Sequence, residues 1–405
     1  MRCDVLIIGA GISGLVAAQK ASKEGLDAVI IEKQPSVGFP FTKIDITEDV
    51  GIGNIIDELK LKILDKSKKS KWISPNNSFI LNSKIVDLFV KRGIGRDSFE
   101  RTALNRALSF GCELIASASN INLRYEHGGV SEVNFRKDGK KIAIKPSVVI
   151  GADGSKSSVL ASSPLKKRKK HNVYLEGFGI TAENLDIPSG LTHIFFDEYV
   201  LPGGYFFLSK SSKGLGVASV AMNYSEPKGI GVDTYFWDFV TYNKYMRDVF
   251  RKSSNKKYFV GGCESFELDR RSYKNVLLVG NAAGLLDPLF GYGVNQAIYS
   301  GYWAAKAIKE NLNEGCEKVC EEYEMELGRS LLPDIKFGMK MRLVFDSLKN
   351  RHFDRLVSTL SHISNEVEDI DDFLSNPVKY PLPLAKSLIR QPRLLGLMRY
   401  MIRMF

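Results

Sequence analysis

The chain has 405 residues, of which 44% are hydrophobic and 25% are charged, so it is long enough for a large buried core and is not composed like a disordered polypeptide. No apolar run reaches membrane-spanning length and the first residues enter a strand directly, so we expect a cytoplasmic protein without a signal peptide. The formal net charge is +11, but the basic runs at 60–71 and 166–170 are not interleaved with aromatic residues, so we expect solvated loops and no nucleic-acid partner.

Residues 4–33 predict a strand, a tight turn, a helix and a second strand. Three glycines form a GxGxxG motif at the turn, and Glu32 ends the second strand. Such glycines permit the tight turn and the close approach of a pyrophosphate, which the helix N-terminus attracts. Glu32 is placed to accept hydrogen bonds from ribose hydroxyls. The segment predicts a dinucleotide site, with these candidate residues: Gly9, Gly11, Ser13, Gly14, Glu32 and Lys33.

Residues 95–123 predict a helix that leads into a strand, because apolar residues from Phe99 onward recur at helical spacing. Arg96 stands at the start of this helix, where the helix dipole favours an acid. A cation there indicates a partner such as a cofactor phosphate or ribose, and a surface arginine is the open alternative. Further along, residues 145–161 predict strand, turn and helix, with Asp153 at the end of the strand.

The sequence changes character between residues 171 and 270. Short segments there are typical of antiparallel strands with short turns, and they are dense in aromatic residues. We expect a second, sheet-based domain that is inserted into the first. After residue 301 the chain is expected to be mostly helical.

A second glycine-rich turn follows a buried strand and leads into a helix. Together with the GxGxxG turn and the GADGSKSSV stretch at 151–159, it resembles the FAD-binding motifs of the aromatic-hydroxylase-like flavoprotein superfamily. The resemblance covers roughly residues 1–310. The candidate residues of the second turn are Gly280, Asn281, Gly291, Gly293 and Val294.

The resemblance implies that FAD is held at two places. Asp153 belongs to the turn near the pyrophosphate, and the second glycine turn receives the ring end of the cofactor. Gly291 and Gly293 let the backbone approach the ring, and the helix that starts near Val294 points its positive end at the ring. Asn281 stands where the superfamily has an aspartate, and it keeps a polar side chain there.

Within the superfamily, the chain is similar to geranylgeranyl reductases, including the archaeal enzymes that saturate prenyl chains of membrane lipids. The similarity lies in residues 203–217, where the family pattern is YxWxFP followed by GxG. Tyr205 matches the tyrosine, and Phe207 stands for the tryptophan. The resemblance also makes Arg96 an FAD contact.

One departure from that family follows the second strand. The family commonly has a cysteine–glycine pair near the flavin, and this chain has Thr42 and Lys43 there. Lys43 and Ile44 are counted among the cofactor-binding candidates. The departure makes a different prenyl substrate, or a different reaction, the alternative.

The resemblance implies an FAD-dependent reductase that saturates C=C bonds of geranylgeranyl chains in membrane lipid or quinone precursors. Such a reaction needs a hydride from the flavin and a proton at the other carbon, and an aromatic site suits its cationic transition state. Tyr205 and Phe207 are the candidates for the substrate tunnel; a protein core is the open alternative, and no proton donor is assigned. A flavin monooxygenase and an electron-carrying flavoprotein with a protein partner also stay open.

The expected partners are an apolar prenyl-lipid substrate and an external electron donor. No second dinucleotide turn indicates NAD(P)H, and the five cysteines form no CxxC pair, so no metal site is expected. Residues 383–405 contain basic and apolar residues but no acid, which is typical of an interfacial segment at the inner face of a membrane. A terminal helix pair packed on the body is the alternative.

The predicted fold class is α/β, with a Rossmann-like FAD-binding domain, an inserted antiparallel substrate sheet and a helical C-terminal region. The FAD-binding domain is assigned to residues 1–170 and 271–310. The inserted sheet takes residues 171–270, and the helical region takes residues 311–405.

Overall fold

A computed structural model describes residues 1–39, 42–48, 52–167, 172–223 and 230–367, with the backbone alone at 42–48 and 83–85. The segment 383–405 therefore lies outside the described residues.

Strands and helices alternate in the first half of the chain, and helices predominate after residue 293. The strands are β1 (Arg2–Ile8), β2 (Ala28–Ile31), β3 (Thr42–Glu48), β4 (Asp65–Ile73), β5 (Ser78–Gly93), β6 (Glu113–Ile115), β7 (Ser119–Glu126), β8 (Gly129–Lys137), β9 (Lys140–Gly151), β10 (Val173–Glu183), β11 (Thr192–Phe195), β12 (Gly204–Lys210), β13 (Leu215–Asn223), β14 (Ser254–Ser265), β15 (Ser272–Tyr273) and β16 (Val276–Leu278). The helices are α1 (Ile12–Lys23), α2 (Gly53–Leu59), α3 (Phe99–Ser109), α4 (Ser158–Ser162), α5 (Val232–Tyr242), α6 (Val294–Asn311), α7 (Cys316–Ser330), α8 (Leu332–Asp346) and α9 (Asn350–Glu366).

The first sheet has a parallel centre in the order β16-β9-β1-β2-β6. The second half of its central strand β1, Val5 to Ile8, is an apolar run that is buried almost completely, as expected for a parallel strand covered on both faces. Helices α1, α3, α6 and α7 contribute to the same hydrophobic core. The predicted Rossmann-like unit is confirmed.

The second sheet has the order β14-β10-β13-β12-β11-β4-β5-β3. Its pairs are antiparallel except for β11 and β4, which are parallel. Three of its strands come from residues 42–93, which the sequence-based division assigned to the FAD-binding domain. The two units are therefore interleaved along the chain more than the predicted bounds imply.

Strand β4 also changes the interpretation of the basic run at 60–71. Most of its lysines are exposed, as a solvated segment requires, but Ser67, Ser70 and Trp72 are buried between them. Trp72 pairs with Phe79 on β5 and with Ile194 on β11. For residues 65–71 the expectation of a loop was wrong: Ser70 and Trp72 follow strand spacing, and a register shift between Ser67 and Lys69 accommodates the two successive lysines.

The aromatic residues of the second sheet divide between its two faces. Phe195 and Phe206 pack against Phe239 of α5 on one face. Tyr205 and Phe207 lie on the other face, in a cluster completed by helices α8 and α9. Tyr199, which also belonged to the aromatic stretch, is 83% exposed. The aromatic segment therefore serves as protein core on one face and as part of a cavity wall on the other.

The region after residue 293 is helical as far as the structure describes it, through α6, α7, α8 and α9. Among the described helices, none combines the length and the apolar character that crossing a bilayer demands.

Candidate functional site

A cavity of about 500 Å³ is lined by residues of both sheets. Its first end is formed by the turn after β1, by the end of β9 and by the residues that lead into α6. Its second end is formed by strands β10, β12, β13 and β14. The volume is in the range of small-molecule and cofactor sites.

The three glycines of the first turn have different roles. Gly9 has a φ of +106°, and a Cβ atom there would lie 2.4 Å from the carbonyl oxygen of Ala152. A Cβ atom on Gly14 would lie 2.0 Å from the carbonyl oxygen of Gly9. Gly11 is different, because its nearest neighbour would be 4.0 Å away and the residue lines the cavity. Gly9 and Gly14 are thus needed for chain packing, and Gly11 leaves room for a ligand.

Glu32 is buried at the end of β2, beside the same turn. One carboxylate oxygen accepts a hydrogen bond from the backbone N–H of Ala10 (2.7 Å), and the other accepts one from Gln34 (2.8 Å). A carboxylate oxygen accepts two hydrogen bonds, so capacity for ribose hydroxyls remains. Lys33 is exposed at the surface.

Asp153 caps the short helix α4. Its Oδ2 atom accepts hydrogen bonds from the backbone N–H (2.6 Å) and hydroxyl (2.8 Å) of Ser158 and from the backbone N–H of Val159 (3.2 Å). Its Oδ1 atom is buried and has no hydrogen-bond partner. A buried carboxylate oxygen in this condition is costly unless a ligand or a water molecule supplies a donor.

The second glycine turn meets the first through Ser13. Gly280 has a φ of +55°, and a Cβ atom there would lie 2.8 Å from the hydroxyl oxygen of Ser13. Asn281 is half-buried and lines the cavity with Ser13. Gly291 has a φ of +77° and lies against Leu175 of β10, which brings the turn to the second sheet.

Two helix N-termini face the cavity. Helix α1 has Gly11 as its N-cap and helix α6 has Gly293, and neither N-cap has a side chain that could satisfy the first backbone N–H groups. Both glycines line the cavity, as does Val294 at the start of α6. Free N–H groups and the positive ends of two helix dipoles therefore point toward one space, which favours anionic groups.

Arg96 lies three residues before helix α3, and its contact with FAD stays a prediction. Helix α3 begins at Phe99 with Ser98 as its N-cap, and the exposed Arg96 is not among the cavity-lining residues. Arg92, at the end of β5, lines the cavity instead, and its Nε atom donates to Glu100 (2.6 Å). Lys43 and Ile44 belong to β3, and their side chains lie outside the described residues.

The sheet end of the cavity is floored by small residues. Gly261, Gly177, Ala221 and Tyr205 lie side by side on four neighbouring strands and form a first row. Beside it, a second row consists of Phe259, Gly179, Ser219 and Phe207. The first row has no side chain larger than a methyl group before Tyr205, so it forms a trough about 10 Å across three strands.

Sequence reasoning missed most of this floor. Gly177, Ala221, Phe259 and Gly261 were not candidates, and neither was Cys263, which also lines the cavity. The alternation of each strand is visible in the sequence, but the cross-strand register that places these residues side by side is not.

The residues present fit FAD. The open position at Gly11 and the two helix N-termini suit the anionic pyrophosphate of the cofactor. The buried Oδ1 atom of Asp153, beside the lining residues Ala152 and Gly154, can accept only from a donor such as a hydroxyl group. The ring end would lie at Gly291, Gly293 and Val294, where the polar part of the cavity meets the sheet.

Comparison with known proteins decides the cofactor. A family model described as an FAD binding domain matches residues 81–329. The chain belongs to this family. A model of an NAD(P)-binding Rossmann-like domain matches residues 7–54 of the same FAD-binding protein, which include the GxGxxG turn. The predicted cofactor, FAD, is confirmed.

The FAD-binding chain also matches curated proteins over most of its length. It is 24% identical over 383 residues to digeranylgeranylglycerophospholipid reductase 1 of Methanococcoides burtonii, covering 92% of this chain and 91% of that protein. It is 28% identical over 381 residues to digeranylgeranylglycerophospholipid reductase 3 of Methanosphaera stadtmanae, covering 89% and 91%.

Solved structures share the fold. A geranylgeranyl bacteriochlorophyll reductase-like protein from Thermoplasma acidophilum has a TM-score of 0.80 and 21% identity and covers 98% of both chains. The probable FAD-dependent monooxygenase pqsL from Pseudomonas aeruginosa has a TM-score of 0.67 and 17% identity and covers 88% of this chain and 100% of its own. The predicted fold class is confirmed, and both reductase-like and monooxygenase proteins share it.

Proposed function

We propose that this protein is an FAD-dependent oxidoreductase that saturates C=C bonds of geranylgeranyl chains in membrane lipid or quinone precursors. The observation that carries the proposal is one cavity with two unlike ends. The cofactor end presents two helix N-termini, and the other end is a trough across the second sheet. The curated relatives named digeranylgeranylglycerophospholipid reductase support the same substrate class.

The trough suits a prenyl chain in shape. Its floor of glycine and alanine carries no charge, and it runs from Tyr205 toward Gly261 on β14, the last strand of the sheet among the described residues. A Cβ atom on Gly261 would meet nothing within 4 Å, so the trough is open there. A long, narrow chain whose only branches are methyl groups, as in an isoprenoid, fits such a floor better than a compact ring system does.

The walls suit the reaction. FAD, when bound, supplies the hydride for reduction of the double bond. Tyr205 and Phe207 line this part of the cavity, so their rings would lie near a bound prenyl chain, and π faces stabilise a nearby positive charge. Apolar residues of β10, β12 and β13 also line that region.

Anaerobic turnover tests the proposal. Purified holoprotein is reduced with dithionite and incubated with a geranylgeranyl lipid, and the product is analysed by mass spectrometry. We expect a gain of two hydrogens for each double bond reduced, with no need for oxygen. A product that forms only with oxygen and NAD(P)H and contains a hydroxyl group would favour a monooxygenase. Flavin that passes electrons to a protein but not to any prenyl lipid would favour an electron carrier.

A further inference from the structure

The loop between the second glycine turn and helix α6 is fixed by buried side chains. We call residues 287–292 the ring loop, because they lead to the backbone expected at the FAD ring. Asp287 closes the loop on itself: its side chain accepts from the backbone N–H of Phe290 (2.5 Å), and its own N–H donates to the carbonyl of Tyr292 (2.8 Å). The side chain of Asp287 is 1% exposed.

Two side chains from outside the loop hold its next carbonyl groups. Arg342 of helix α8 donates from Nη1 to the carbonyl oxygen of Leu289 (2.8 Å). Tyr205 of strand β12 donates from its hydroxyl to the carbonyl oxygen of Phe290 (2.5 Å). The rings of Tyr205 and Phe290 are in edge contact with centroids 5.1 Å apart. Successive carbonyls of the ring loop are therefore held by two different parts of the fold.

Arg342 is unusual because it is charged and only 1% exposed. Its second terminal nitrogen, Nη2, donates to the carbonyl of Gly203 and to Asp346, and the guanidinium lies over the ring of Phe345 with its carbon 5.0 Å from the centroid. A buried guanidinium is costly to desolvate, and here both terminal nitrogens are hydrogen-bonded, while Nε is buried without a partner among the described residues. One arginine thus ties the ring loop to the start of β12 and to helix α8.

We infer that Arg342 and Tyr205 are positioning residues for the ring end of FAD. They set the place of the Gly291–Gly293 backbone, and neither needs to touch the cofactor through its polar atoms to do so. A rigid backbone at that place determines how the N-terminus of α6 faces the ring, and such contacts tune the reduction potential of a flavin. The inference rests on the FAD site and not on the identity of the substrate.

A purely structural role is the competing explanation, and one tyrosine provides a matched control. Tyr323 of α7 is also buried, and its hydroxyl donates to the backbone carbonyl of Leu278 (2.6 Å), outside the ring loop. Tyr205→Phe and Tyr323→Phe each remove one buried hydroxyl–carbonyl hydrogen bond. The comparison separates loss of positioning from loss of stability.

The readouts are the dissociation constant of FAD, the visible circular dichroism of bound flavin and its midpoint potential. We expect Tyr205→Phe to weaken FAD binding roughly fivefold to tenfold and to change the potential and the dichroism. Tyr323→Phe should lower the melting temperature and leave all three readouts unchanged. Arg342→Lys should weaken FAD binding less than Arg342→Met, because a lysine keeps the charge and one hydrogen bond to the loop.

The inference is overturned if Tyr205→Phe and Arg342→Lys both bind FAD within about twofold of the wild type, with the same potential and dichroism. That result would assign both residues to stability alone, even if their melting temperatures fall. If Arg342→Met does not fold, Tyr205→Phe and Arg342→Lys still test whether the two residues position the FAD ring. These experiments measure the binding and the properties of FAD and not turnover of a prenyl lipid. A negative result here is therefore distinguishable from a failure of the proposed reductase activity.

Discussion

Helix α6 crosses helix α1 so closely at Gly301 that a Cβ atom there would lie 2.2 Å from the carbonyl oxygen of Ser13. Ser13 follows the first residue of α1, and Gly301 lies seven residues after Val294, the first residue of α6. Two turns of α6, about 10 Å, therefore separate the two helix N-termini along that helix. The crossing sets the spacing between the place expected for the pyrophosphate and the place expected for the ring.

Replacing Gly11 by valine should abolish FAD binding and leave the fold intact. A Cβ atom at Gly11 has no neighbour closer than 4.0 Å, so the new side chain meets the cavity and not the chain itself. We expect colourless protein whose unfolding free energy without FAD is within about 1 kcal/mol of the wild-type apoprotein. Acid extraction with chromatography, together with chemical denaturation, provides both measurements.

Gly14→Ala is the contrasting variant for that experiment. Its Cβ atom would lie 2.0 Å from the carbonyl oxygen of Gly9, so it should destabilise the apoprotein by about 1–3 kcal/mol through overpacking. Equal destabilisation by the two substitutions would contradict the separate roles assigned to Gly11 and Gly14.

Filling the trough at Gly261 should reduce turnover of long prenyl chains without affecting the cofactor. A leucine there enters open space on the trough floor, so the fold tolerates it and a chain is displaced. We expect kcat/KM for a geranylgeranyl lipid to fall roughly tenfold, since about 1.4 kcal/mol of transition-state binding is lost.

Gly328→Leu is the control for the trough variant. Gly328 lies in helix α7, where a Cβ atom also meets nothing within 4 Å, and it is not among the cavity-lining residues. FAD content and kcat/KM should stay at wild-type values in this variant. A Gly261→Leu enzyme as active as Gly328→Leu would exclude the trough as the binding place of the chain.

Asp87→Asn should remove part of the pH dependence of stability. Burial raises the pKa of Asp87 from 3.8 to about 7, against the hydrogen bond that Thr192 donates to it (3.2 Å). Between about pH 4 and pH 7, Asp87 is therefore protonated in the folded protein and ionised in the unfolded chain. For this reason Asp87 makes the free energy of unfolding decrease as pH rises through that window. The full shift corresponds to about 4 kcal/mol as an upper value. At pH 8 the variant should unfold at a higher denaturant concentration than the wild type, and near pH 4 the two should agree.

Asp354→Asn should behave in the opposite way. Burial opposes ionisation of Asp354, but hydrogen bonds from Ser74 and Asn76 outweigh it and lower the pKa below its usual value. The ionised carboxylate stabilises the fold at neutral pH, and this contribution is lost as pH falls through the lowered pKa. The variant should be less stable than the wild type at pH 7. Parallel denaturation curves for both aspartate variants from about pH 2 to pH 8 cover both windows and test the two signs together.

The proposal that residues 383–405 contact a membrane is tested with charge reversal. Each basic residue near an anionic surface contributes about 1 kcal/mol, and the attraction is screened over about 8 Å at physiological salt. Arg399→Glu combined with Arg403→Glu should reduce co-sedimentation with anionic vesicles and leave FAD content unchanged. Binding of the wild type should also weaken as salt rises and be weaker on neutral vesicles. Equal, salt-insensitive binding by both proteins, or none by either, would contradict membrane contact.

Local features of this protein were predictable from the sequence, and features that depend on distant pairing were not. The first glycine turn and the strand–helix–strand unit around it lie within about thirty residues, so the local motif is enough to predict that unit. Tyr205 and Phe206 are neighbours in sequence, yet Tyr205 faces the cavity and Phe206 faces the hydrophobic core on the other side of the sheet. Only the pairing of β12 with β11 and β13 determines which of the two faces the cavity.

The residues that the sequence did not identify were missed for the same reason: their roles depend on contacts between distant parts of the chain. Arg342 acts on carbonyl groups of Leu289 and Gly203, and a backbone carbonyl leaves no trace in the sequence. Arg92 was not a candidate, because its place in the cavity lining depends on where β5 ends relative to the second glycine turn, which the sequence does not show. The roles of the individual cofactor-site residues stay predictions, while the FAD family and the fold class are confirmed.

The interleaving of the two sheets has a consequence for biosynthesis. All strands of the second sheet lie between β2 and β15 in the chain, and β16 joins β9 in the first sheet only after them. During synthesis, the βαβ unit formed by β1, α1 and β2 is therefore made long before β16, the strand that completes the parallel part of the first sheet. Arg342 emerges later still, so the nascent chain has no finished place for the flavin ring until residues beyond helix α8 have been synthesised. Cofactor loading is therefore expected to follow synthesis, and a split into separately expressed halves should yield neither a yellow fragment nor a stable one.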